Sequence, residues 1–377
     1  MFLALLMSLV IFLLPLPVGA ATWNGTTTDW GTATNWSGTD VPDTTTEDAD
    51  IDETGSDPTI GAGNYSIQDL NFTSAANLTL GGTGILTIAG GDLTSTGNVI
   101  TIAPNLTLSA DTNFNISGGS LAMSGDVTSS STITLSGTMT ATGDMSAATG
   151  NFLLGDTSGN VGIYSISGGT STPGGDLYFN KDGSAGGISY LTNNVSDNTF
   201  SNNITLMNPV VSNESGYAEI GSTLGDFNIT GNITTSSSRG SGAFQGVRVR
   251  TSSGGTDSVT FSGTNDFTGI GQFRLYFQGS GIKTFYINSD NALNNAGNLR
   301  IQAVNASTTA RIMTKSAVTV SNAIFDYALV SGAANTKQLV VGGEHTSGTA
   351  TFSGNITLNY AGMVGETIQL KTTNAGA

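Results

Sequence analysis

From residue 75 onward one short phrase recurs: an apolar residue, Thr, then a second apolar residue. Leu78-Thr79-Leu80, Ile100-Thr101-Ile102, Leu106-Thr107-Leu108, Ile133-Thr134-Leu135, Val259-Thr260-Phe261 and Ile356-Thr357-Leu358 all fit it. Alternation with β-branched residues, punctuated by Gly, Asn, Asp and Ser, predicts short strands with one buried face. No helical stripe runs through the rest of the chain, so the expected class is all-β.

The spacing of the strands says how they are arranged. Leu121, Val127, Ile133, Met139 and Met145 fall six residues apart. Six residues make a strand and its corner, and three such units make an 18-residue turn. Asp126 and Asp144, each in a Gly-Asp step, are 18 apart. Farther on the beat lengthens to 26. It runs through Phe261, Ile287, Met313 and Leu339, through Val247, Phe273, Leu299 and Phe325, and through Val249, Leu275, Ile301 and Tyr327. Fixed periods of this size signal a repeat architecture. The expected fold is a single-stranded parallel β-helix, or β-solenoid, with each column stacked along the axis about 4.8 Å apart. Phe273 is expected directly over Leu299.

Composition fits the coil. The chain of 377 residues holds 52 Gly, about twice the ordinary ~7%. Gly and Asn take left-handed backbone angles at corners with little steric cost. Charge separates two regions. Residues 1–180 carry 16 acids and no Lys or Arg, whereas all 11 basic residues lie at Lys181 or later. The net charge of −16 argues against a nucleic-acid partner, because such binding depends on Lys and Arg. The absence of Cys and the single His, His345, exclude thiol chemistry and multi-His metal sites.

The N-terminus reads as an address. Met1 to Leu14 is nearly all apolar and is followed by Pro15, Pro17 and the small residues Gly19, Ala20 and Ala21. That is the pattern of a secretory signal peptide over 1–21, and the run is shorter than the ~20 residues of a spanning helix. The expected divisions after it are a cap segment at 22–60, an acidic β-helix of short coils at 61–240, and 26-residue coils at 241–377. No closing segment is evident after Leu370-Lys371-Thr372, which fits a chain continuing beyond Ala377. Residues 22–60 hold all three Trp, in Trp23-Asn24-Gly25, Trp30-Gly31 and Asn35-Trp36-Ser37-Gly38, before Val41-Pro42 and an acidic run into Ala49-Asp50-Ile51. Terminal repeats of solenoids are often atypical, so aromatic rings are expected to close the first coil.

In these residues the chain resembles the secreted β-helix proteins of bacteria, including autotransporter passenger regions and related surface adhesins. The resemblance implies an exported, non-enzymatic surface protein, although no outer-membrane translocator barrel is visible in this sequence. A second segment, Leu154-Gly155-Asp156-Thr157-Ser158-Gly159-Asn160-Val161-Gly162-Ile163, resembles a motif of phage tail-fibre-like and large bacterial surface proteins, where it belongs to structural shafts. The hexads carry two apolar positions each, unlike those of left-handed hexapeptide acyltransferases, so a right-handed coil is expected.

Chemistry is thinly supported. Pectin-cleaving hydrolases of this fold use clustered Asp with His and an Arg-x-Lys step. Here Arg311 and Lys315 are wrongly spaced and His345 is isolated. Two other constellations stand out. Asp48, Asp50 and Asp52 alternate, so as a strand they share a face, and three carboxylates suit Ca²⁺. The competing reading is a solvated acidic face with no cofactor. Arg248, Arg274 and Arg300 are 26 apart and flanked by apolar residues, which predicts an outward column. Such a column suits carboxylate or sulfate groups of a glycan, against a reading of solvation and local carboxylate pairing. The expected function is a secreted or cell-surface β-solenoid, structural or adhesin-like, displaying repeated polar faces to glycans or other surface proteins. The alternative is a polysaccharide-binding or polysaccharide-degrading β-helix protein, and a third reading is a fibre-like trimer that buries exposed apolar columns.

Overall fold

Alternation becomes parallel pairing along the whole stack. The computed structural model describes residues 19–264, apart from 53–54, 98, 157, 159, 181–187, 208–216, 237–245 and 252–256. Beyond 264 it describes the backbone of the strands, with side chains only at 275–277 and 284–286; residues 217, 236, 246–248 and 257 are likewise described by backbone alone. The chain is an all-β parallel solenoid in which each strand pairs with its equivalent one coil away. The only helical turns among the described residues are Ala33–Asn35 and Ser37–Thr39.

Three faces follow one another around each coil. On the first, Ala49, Leu70, Leu93, Phe114, Leu135 and Leu154 are successive partners, all buried. On the second the column is Leu78, Ile100, Leu121, Met139, Tyr164 and Leu191. On the third, Tyr65, Leu86, Leu106 and Val127 are in register, and farther along Phe200, Ile229, Phe261 and Ile287 are. The burial pattern of Ser120–Met123 and its neighbours alternates strictly, so the apolar members of each phrase fill the interior while Thr and Asn face outward. Burying each such side chain contributes roughly 1.5–3 kcal/mol.

Coil length varies along the axis. Leu121 pairs with Met139, 18 residues on, and Leu121, Val127, Ile133, Met139 and Met145 are all buried. The hexad reading therefore holds for this coil. Its narrowness rests on Gly137, inside the continuous strand Ile133–Ala141, which turns the corner with no loop. Gly137 has φ 116°, and a Cβ there would lie 2.2 Å from the Ile116 carbonyl oxygen, so only glycine fits. After this constriction the second face widens to steps of 25, 27, 29 and 29, through Tyr164, Leu191, Ile220 and Val249.

The 26-residue register holds on the second face as far as Leu299 and Ile301. Val247, Phe273 and Leu299 are in register, as are Val249, Leu275 and Ile301. On the third face Phe261 pairs with Ile287, but the expected continuation to Met313 and Leu339 is corrected. Ile287 pairs with Thr314, Met313 lies between Tyr286 and Gly342, and Leu339 pairs with Ala310. The number of residues between strands is responsible. Three residues separate Phe277 from Gly281, whereas four separate Ala303 from Thr308, which delays the next strand by one position. Phe325 pairs with Leu358 and Tyr327 with Tyr360.

Corners carry a polar ladder that the apolar columns do not reveal. A corner Asn or Asp, directly before a buried strand residue, accepts through Oδ1 the N–H of its equivalent one coil on. Asn105 accepts from Asp126 (2.9 Å) and Asp126 from Asp144 (2.9 Å). Asp176 accepts from Asn203, Asn203 from Asn232, and Asn232 from Thr264. These contacts satisfy backbone donors where strand pairing lapses. They also account for the many Asn-x-Ser/Thr sequences, because Asn232-Ile233-Thr234 is a corner acceptor followed by an alternating strand. Inside the second face the apolar column gives way to Asn193, Ser222 and Thr251, in register and buried. Asn193 Nδ2 donates to the Val195 carbonyl and Ser222 Oγ to that of Gly225, so inward polar groups hold the adjoining turns.

At the N-terminal rung, Ala21–Thr22 pairs with Ala49–Ile51. Beside it Trp23, Trp30 and Trp36 are buried, with Trp36 edge-on to Trp23 (5.0 Å, 75°) and to Trp30 (4.6 Å, 69°). Each indole N–H reaches a carbonyl, of Ser56, Pro42 and Trp30 respectively. Asn35, fully buried, holds the preceding loop through Thr26, Thr27 and Asp29.

Phe114→Ala removes a buried ring between Leu93 and Leu135 and is expected to lower stability by about 3–5 kcal/mol, read from the urea midpoint by circular dichroism. A loss below about 1 kcal/mol, the size expected for an exposed position, would contradict a shared interior column.

Candidate functional site

The strand register of the second face sets residues in rows across the coils. Tyr190, Glu219, Arg248, Arg274 and Arg300 occupy one row, and Thr192, Gly221, Arg250, Tyr276 and Gln302 occupy the next. The predicted arginine register is therefore present in the backbone, though the side chains of Arg248, Arg274 and Arg300 lie outside the described residues. Residues 1–18 of the expected leader and His345 lie outside them too.

Sequence reasoning missed the acid within this row. Glu219 sits in the strand Tyr217–Ser222 with Ala218 and Ile220 turned inward, and it is only 2% exposed. Arg250 Nη1 is 3.4 Å from Glu219 Oε1. Gly221 explains the diagonal contact. It stands opposite Arg250 and presents no side chain, so the guanidinium passes over it to the carboxylate two residues along the neighbouring strand. The available signal was an acid in an apolar strand, but the partner is 31 residues away and depends on register.

The acidic run has the alternation foreseen. Asp48, Asp50 and Asp52 are half-buried and alternate with buried Ala49 and Ile51. Asp50 Oδ1 accepts from Asn71 Nδ2 at 2.9 Å, and Asn71 Oδ1 accepts from Thr94 Oγ1 at 2.6 Å. Glu47 Oε2 accepts the N–H groups of Asp43 and Thr44, which closes the turn before the strand. Among the described residues no group of three or more Asp, Glu or His is placed to hold a metal ion. Burial raises the Asp48 carboxyl above its ordinary value, and the nearby charges of Asp69 and Asp50 add to the shift despite a hydrogen bond from the Asp69 backbone.

Asp156, in the shaft-like motif, behaves in the opposite way. Burial works to raise its pKa. The Asn160 and Ser136 side chains, with the N–H groups of Asn160 and Ser158, outweigh that and hold the carboxyl below its usual range.

Comparison with family models, curated proteins and solved structures returned no match.

The two carboxylates predict opposite pH effects. Asp156 stabilises the fold when ionised, and that contribution is lost as pH falls from ~3.9, the unfolded value, through its lower folded pKa. Asp48 is the reverse: its ionised form opposes folding, and protonation as pH falls through its raised folded pKa relieves this. Asp156→Asn is expected to lower the melting temperature at pH 7 and Asp48→Asn to raise it, with both differences fading in strong acid. Thermal melts followed by circular dichroism at neutral and acid pH check both signs.

Proposed function

We propose that this chain is an exported, non-enzymatic β-solenoid serving as a secreted or cell-surface shaft with an adhesin-like role. In this reading residues 1–21 direct export, the tryptophan cluster closes the first coil, and the coil is right-handed. The observation that carries the proposal is the axial order of the polar exterior. Asp50, Asn71 and Thr94 are linked coil to coil, as are Asp92 and Asn113, so a stiff scaffold repeats similar polar groups at a fixed spacing. Many weak contacts at fixed spacing gain through multivalency. The trimeric reading receives no support from the described surface: its exposed large apolar residues, Ile85, Val99 and Leu224, form no column.

The arginine row adds a glycan class to this reading. Stacked guanidinium groups suit carboxylate and sulfate, and the row lies in the half of the chain that contains all the basic residues.

Two measurements test these proposals. Beads coated with the full chain at graded density are expected to stay on bacterial or host cell surfaces for times that rise steeply with density, with no reducing ends released from polysaccharides. Density-independent retention or polysaccharide cleavage overturns the shaft. The Arg248→Gln, Arg274→Gln, Arg300→Gln variant is expected to elute from immobilised dextran sulfate at lower salt than the parent. Unchanged elution removes the arginine row as a glycan contact.

A further inference from the structure

The constriction at Gly137 leaves a notch on the exterior. The coil below turns its corner through Ser117–Gly119, and the coil above brings Gly155, Asn160 and Val161 over the corner, whereas the coil between them turns at a single glycine. Gly137 N–H donates to the Val161 carbonyl (2.7 Å), and Gly155 N–H to that of Leu135 (2.8 Å), which fixes the upper loop over the notch. The resulting cleft has a volume of about 270 Å³ and is lined by Asn115, Ser117, Ser136 and Asn160, with Ile116, Gly137 and Val161 as its apolar part.

We infer that this cleft is a binding site for one neutral sugar residue of a glycan chain. The inference rests on the surface-shaft reading and assigns it a ligand class at one defined place. Size sets the first limit, because the volume falls just below the ~300–1,000 Å³ of ordinary small-molecule pockets, room for a single ring. Hydrogen-bond polarity sets the second. Ser136 Oγ donates to Asp156 Oδ2 (2.8 Å), Ser117 Oγ to the Ser95 carbonyl (3.0 Å), and Asn160 Nδ2 to Asp156 Oδ2 (2.7 Å). The Ser136 and Ser117 hydroxyls, their hydrogens committed to the protein, offer lone pairs to the cleft, while the Asn160 amide has a second Nδ2 hydrogen beyond the one given to Asp156 and Asn115 brings an amide of its own. A ligand must therefore supply hydrogens to the hydroxyls and accept them from the amides, and sugar hydroxyl groups do both.

Charge sets the third limit. The cleft lies wholly within residues 1–180, which hold no Lys or Arg, so an anionic sugar meets no counter-charge. Nor is Asp156 free to ligate a cation directly, because its carboxylate accepts four hydrogen bonds, from Ser136, Ser158 N–H, Asn160 N–H and Asn160 Nδ2. Those fill the roughly four lone-pair sites of a carboxylate. An uncharged, hydroxyl-rich ring with C–H faces for Ile116 and Val161 satisfies all three limits.

The test uses the full chain and saturation-transfer NMR with methyl glycosides of glucose, galactose, mannose and N-acetylglucosamine, beside galacturonate and glucosamine. At least one neutral glycoside is expected to bind equally well at low and high salt. Asn115→Ala with Asn160→Ala is expected to weaken it tenfold or more. Ser117→Trp, at an exposed position, is expected to block the cleft with an unchanged far-ultraviolet spectrum, and it serves if the double variant fails to fold. The inference is overturned if no neutral glycoside binds, if galacturonate or glucosamine binds in preference, or if Ser117→Trp leaves binding intact. Density-dependent retention of beads carrying Ser117→Trp separates these failures from failure of the shaft itself.

Discussion

Everything in this molecule depends on one constraint, the superposition of each strand on its equivalent one coil away. The backbone donors and acceptors of a strand point along the axis and can be satisfied only by a neighbour in register. Because register is shared, an interior side chain such as Phe114 meets Leu93 below and Leu135 above. The same rule orders the exterior, so an outward residue becomes part of a row whether or not its chemistry benefits. The Asn and Asp ladders at the corners extend the rule to places where strand pairing stops.

Much of this was legible because the periods are local arithmetic. The hexad through Leu121, Val127 and Ile133 states the length of one coil, and the pairing of Leu121 with Met139 realises it. The two columns through Val247 and Val249 were equally readable, since the segments between their strands keep one length. Met313 was misplaced because registers accumulate: one extra residue between Ala303 and Thr308 shifts its strand, and no side chain in that strand announces the shift. The widening from 18 to 29 residues was illegible for the same reason, as Gly-rich corners can be long or short without changing the strand pattern.

The surface chemistry was harder to read than the core. An arginine row follows from spacing alone, so it was visible. The Glu219–Arg250 pair needed the knowledge that Gly221 leaves a gap on the intervening position. The Asp156 cluster needed Ser136, 20 residues earlier, to lie beneath it. The alternating acids at Asp48, Asp50 and Asp52 were correctly placed on one face, yet the contact made by Asp50 runs along the axis to Asn71. In a stacked coil the nearest neighbour of a polar side chain is often one turn away.

The four-residue spacing between the strands that end at Ala303 and begin at Thr308 shows what such a scaffold tolerates over evolutionary time. A residue gained there slides one strand along its partners while parallel pairing continues, so lengths can drift between strands while the stack is kept. Lineages built on this plan are free to graft long excursions at single bends. They would retain a common skeleton after their sequences had ceased to align.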